Sequence, residues 1–123
     1  MSISEQLERE KKIKQEVNRI KKLYKDFPKD KVKVLEGLIN QASFMKISLE
    51  EVKSDLIKNG LTELFEQGDQ CFDRERPNFK IYTSLMKIYT NAMKQLIDLL
   101  PVEVKKEETD ALMEFIKKGK IKK

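Results

Sequence analysis

The side chains with chemistry to offer are cations. Lys11, Lys12, Lys14, Arg19, Lys21, Lys22 and Lys25 crowd one stretch near the start of the chain. Repeated Lys and Arg on a single helix hold phosphates, with an affinity that falls with salt and tolerates sequence. Glu8, Glu10 and Glu16 are interspersed among them, and acids at helical spacing pair with such cations instead. Catalytic groups are scarce. The chain has no histidine and one cysteine, Cys71, so neither a Cys-His nor a Ser-His-Asp arrangement can form. The same shortage rules out the common zinc sites, and no glycine-rich phosphate loop occurs. Glu50-Glu51 and Glu107-Glu108 lie in Lys-rich surroundings, where a solvated face is the ordinary outcome. No catalytic residue, metal site, cofactor or small-molecule substrate is expected, and the chain reads as a non-enzyme.

Charge is unevenly placed around the net value of +5. Residues 1–31 carry ten Lys or Arg against six acids, whereas residues 61–77 carry two against five. The last seven residues hold five lysines and no acid. Such segregation suggests a polyanion at the termini and a different neighbour at the middle, against the alternative of merely solvated ends. No apolar run approaches the roughly 20 residues of a bilayer span, and the first residues lack a secretory apolar core. A lone cysteine calls for no oxidising compartment. An intracellular, soluble chain with no membrane partner is the expectation.

The elements that position these groups read as long helices, since 123 residues with 38% charged side chains and only four glycines offer few turn formers. A first helix starts at Ser2 or Ser4 and ends near Asp26, with Ile13, Val17, Ile20, Tyr24 and Phe27 forming a narrow stripe. A second is predicted from an Asp30 cap to about Lys58, where Asn59-Gly60 supplies a stop. Leu35, Leu38, Ala42, Met45, Leu49, Val52 and Leu56 keep one three-four alternation along it, which carries the helix through a competing capping signal at Ser48. A third opens at Pro77 and stops before Pro101. Leu61 to Arg76 joins the two, and Gln67-Gly68-Asp69-Gln70 between aromatic-bearing segments fits a small β-hairpin or an irregular loop. Glu103 to Glu108 reads as a charged linker, followed by a short helix through Leu112, Met113, Phe115 and Ile116. That segment is either a docking element for a partner or an end packed on its own domain.

Helix three is apolar over half its girth, wider than the roughly 100° stripe of a surface helix. Tyr82, Met86, Tyr89, Met93 and Ile97, with Phe44 and Ile47 on the second helix, are therefore the expected homo-oligomer interface. The alternative is that the first and last helices cover these flanks within one chain.

The stretch from Gly60 to Pro101 carries a resemblance. It runs Gly60-Leu61, Glu63-Leu64-Phe65, Gly68, Arg76-Pro77, Lys80-Ile81-Tyr82-Thr83, Met86-Lys87, Tyr89 and Met93-Lys94-Gln95-Leu96-Ile97-Asp98-Leu99-Leu100-Pro101. It resembles the small subunit of bacteriophage terminase, in the short-chain branch from phages of Gram-positive hosts. The resemblance implies a chain of the host cytoplasm that forms rings from a central helical hairpin. Such rings bind double-stranded phage DNA at the packaging site and regulate the ATPase and nuclease of a separate large subunit. It also implies that the C-terminal end contacts that large subunit, which suits the segment from Asp110 to Lys118. The chain departs from many relatives in showing no N-terminal helix-turn-helix. The seven cations above and the C-terminal lysines are nominated for DNA on charge alone. The rival is a helical adaptor or assembly chaperone that binds protein partners only. The expected fold is all-α, with a basic N-terminal helix over residues 1–27. An antiparallel helical hairpin over 28–101 would be the oligomerisation core. A charged linker, short helix and basic tail would fill 102–123.

Overall fold

The computed structural model describes residues 2–119. It is mostly helical, with α1 (Ile3–Leu23), α2 (Lys29–Asn59), α3 (Pro77–Asp98) and α4 (Val102–Gly119), and one antiparallel sheet of β1 (Thr62–Gln67) and β2 (Gln70–Glu75). Ser2 caps α1, its hydroxyl accepting the Glu5 N–H at 3.1 Å. The helix closes at Leu23 rather than near Asp26, because Tyr24, Lys25 and Phe27 donate three residues back and tighten the turn. Pro28, not Asp30, begins α2: its carbonyl accepts from Lys31 and Val32. Pro28 is the N-cap, with an extended ψ of 139° and no N–H to be left unpaired before the helix opens at Lys29. The helix runs unbroken through Ser48 and stops at Gly60, whose φ of +84° suits glycine.

The sheet pairs Thr62 with Glu75 through to Gln67 with Gln70. Gly68, at φ +59°, opens the two-residue turn. On one face the Phe65 and Phe72 rings meet at 5.3 Å, tilted by 57°, and Arg74 lies 4.0 Å above Phe65 while bonding Glu63. No strand residue joins the core. The sheet stands at one end of the molecule, anchored at its base by Asp55. That carboxylate accepts from Asn59 and Asn78 and pairs with Arg76, which hold it below the usual carboxylate range.

A single core takes side chains from all four helices, including Ile20, Tyr24, Ile39, Leu49, Leu56, Tyr89, Leu96 and Leu112. At about 2 kcal/mol for each large apolar side chain withdrawn from water, this burial is what holds the helices together. Two expectations need correction. Residues 103–108 are not a linker, since α4 begins at Val102 and continues through them. Of the nominated oligomer residues, Ile47, Tyr82, Tyr89, Met93 and Ile97 are buried within the chain and Met86 is partly buried. Only Phe44, at 50%, is exposed. Helices α1 and α4 cover that flank of α3: the Tyr24 hydroxyl donates to the Leu96 carbonyl, and Phe115 meets Tyr89 edge-on at 5.4 Å. That flank of helix three is answered inside the chain, while Ile81, Ile88 and Leu99 of its apolar half stay about half exposed.

Candidate nucleic-acid interface

Helix α1 lies along α2 with opposite direction, because Arg9 bonds Glu51 and Lys21 bonds Glu36. Ile13, Val17 and Ile20 face inward; the helical repeat turns Lys11 and Lys22 to the opposite side and sets Lys14 on one flank. All three are exposed, as are Lys12 on the flank and Lys25 in the turn that follows. Among the described residues, none of these five lysine side chains makes a hydrogen bond or ion pair. Lys11 and Lys22 stand about 16 Å apart along the axis. A cation left without an acidic partner is available to a phosphate.

The other two nominees are occupied. Lys21 bonds Glu36 at 2.8 Å and holds that carboxylate below its ordinary range. Arg19 pairs with Glu16 and reaches Glu108 of α4 at 3.3 Å. Glu16 is itself buried, and Lys46 of α2 bonds it at 3.0 Å. This four-residue cluster ties α1 to α2 and α4, with the Lys46 ammonium also 5.6 Å over the Phe115 ring. Burial raises the Tyr24 phenol to about 12, so it remains a protonated donor to Leu96 at neutral pH.

Beside the α1 lysines the fold brings further cations that were not nominated. Lys29, Lys31 and Lys33 are exposed at the start of α2, and residues 21–33 hold six lysines against two aspartates. Their lysine density was legible, but Pro28 divided it between two elements. The C-terminal lysines Lys120, Lys122 and Lys123 lie outside the described residues. The nominated docking residues are mostly spent on the core: Leu112 is buried, Phe115 and Ile116 pack against it, and Met113 alone is exposed. Of the two alternatives for that segment, α4 takes the one packed on its own domain. Among the described residues, no group of acids and cysteine is placed to hold a metal ion, and Cys71 is exposed on the sheet. No described helix is long and apolar enough to cross a membrane. No protein-family model, curated protein or solved structure matches this chain.

Proposed function

We propose that the chain is the non-catalytic, DNA-holding small subunit of a phage packaging terminase, acting in the host cytoplasm as a homo-oligomer, in line with the ring its resemblance implies, and regulating a separate large subunit. The observation that carries the DNA part is the exposed set Lys11, Lys14 and Lys22, which lacks acidic partners among the described residues while Arg19 and Lys21 are paired with acids. Unpaired lysines on a rigid helix give phosphate contacts without base readout. The helical pair α2–α3 would be the assembly core, and several copies would sum weak contacts through avidity. Support for the packaging role itself is the resemblance of residues 60–101.

A second reading, a helical adaptor binding protein partners only, draws on an exposed apolar side of α2–α3 that includes Ile81 and Ile88. Retention of duplex DNA at rising salt, for the natural chain and for Lys11→Gln/Lys14→Gln/Lys22→Gln, separates the two. Salt-sensitive retention that collapses in the variant supports DNA holding. A natural chain that retains no duplex at low salt removes it and leaves the adaptor.

A further inference from the structure

The sheet stands outside the core, and its register says what it leaves free. The Arg76 N–H donates to the Leu61 carbonyl at 2.8 Å, so Leu61 and Arg76 face each other as a hydrogen-bonded pair. In an antiparallel ladder such pairs alternate with pairs whose N–H and C=O groups point away from the partner strand. Carried along the register, Glu63 with Arg74, Phe65 with Phe72 and Gln67 with Gln70 are the bonded pairs. Thr62, Leu64 and Glu66 of β1 and Cys71, Asp73 and Glu75 of β2 therefore turn their backbone groups outward. The sheet has two strands, so each row lies along an open edge.

An open edge is a template for another strand, and the side chains beside it decide which strand is admitted. The pleat puts the side chains of the same six residues on one face, and all six are exposed. That face carries Glu66, Asp73 and Glu75 and no cation, with Leu64 61% exposed among them. The β2 row is the more selective, because Asp73 and Glu75 are neighbours on the face and neither makes an ion pair among the described residues. On the opposite face β2 offers Phe72, 47% exposed.

A strand laid along β2 sets its side chains about 5 Å from these. Lys or Arg opposite Asp73 and Glu75 meets opposite charge, and the residues between them fall on the other face beside Phe72. A second copy offering the same edge would set acid against acid, and a phosphate backbone is repelled for the same reason. Charge and pleat together select a strand of basic residues alternating with apolar ones.

We propose that the outer edge of β2 takes up an extended segment of a partner protein in which Lys or Arg alternates with apolar residues, adding a third strand to the sheet. Asp55, held by Asn59, Asn78 and Arg76, fixes the base of the sheet and so presents this edge in one orientation. The inference depends neither on DNA binding nor on self-association.

The test uses the full chain, with a short acetylated peptide alternating Lys and Val as the probe. Fluorescence anisotropy should show binding, and amide exchange followed by nuclear magnetic resonance should slow at Cys71, Asp73 and Glu75. Phe72 and Arg74, already bonded within the hairpin, should change little. Asp73→Lys/Glu75→Lys alters two exposed positions and should keep the helical circular dichroism spectrum. It should weaken the Lys-Val peptide by about tenfold, since two opposite-charge cross-strand pairs become like-charge pairs, and should take up a Glu-Val peptide instead. N-methylating the lysine amides, which face β2 when the lysines lie opposite Asp73 and Glu75, keeps every charge but removes the ladder donors, and should abolish binding. No binding of the Lys-Val peptide, equal binding of its N-methylated form, or slowed exchange confined to β1 would each overturn the inference.

Discussion

Glu16 occupies a place on α1 where the helical repeat would ordinarily put an apolar side chain. Its carboxylate is buried yet fully partnered, by Arg19 on its own helix and Lys46 on α2, with Glu108 of α4 sharing the arginine. A buried ion pair of this kind adds little net stability over a well-packed apolar pair, but losing one member is costly because the rest is left desolvated. Lys46 and Arg19 keep partial access to water, which moderates the penalty. Glu16→Ala is accordingly expected to lower stability by about 2 kcal/mol in urea unfolding. Glu16→Leu combined with Lys46→Met should recover most of it. If the single variant unfolds at the same urea concentration as the natural chain, the cluster does not hold α1 in place.

At the scale of elements, the same buried charges explain what the sequence hid. The unbroken apolar alternation of α2 and the Pro77 start of α3 were legible because one rule, apolar spacing or proline geometry, decided each. Gln67-Gly68-Asp69-Gln70 was legible as a turn, since glycine with positive φ leads the two-residue loop. Helix α4 was not legible over 103–108, because its inward seam runs Val104, Glu108, Leu112 and Phe115. Glu108 interrupts the apolar pattern, and only Arg19, 89 residues away in sequence, makes a carboxylate acceptable there. The width of α3 misled for a related reason: the two helices that cover it, α1 and α4, showed only narrow or broken stripes. Leu112 separates a packed α4 from a free docking arm. Leu112→Ala should cost about 3 kcal/mol, the usual price of a buried leucine truncation, seen as an earlier urea midpoint. An unchanged midpoint would return the segment to a partner-binding role.

Across the whole molecule, cations fall into two groups by what they face. Arg9, Arg19, Lys21 and Lys46 are bound to acids of neighbouring helices, and removing them loosens the fold. Lys11, Lys14 and Lys22 face solvent with no partner, and removing them leaves the fold alone. Binding to duplex DNA should separate the groups through its salt dependence. Each phosphate neutralised contributes roughly −0.9 to the slope of log affinity against log salt, so Lys11→Gln/Lys14→Gln/Lys22→Gln should flatten that slope by about 3 units while the unfolding midpoint stays fixed. Arg19→Gln should do the reverse, shifting the midpoint and leaving the slope nearly unchanged. A triple variant whose slope matches the natural chain would move the phosphate contacts away from α1, to the corner lysines of α2 or to the C-terminal lysines.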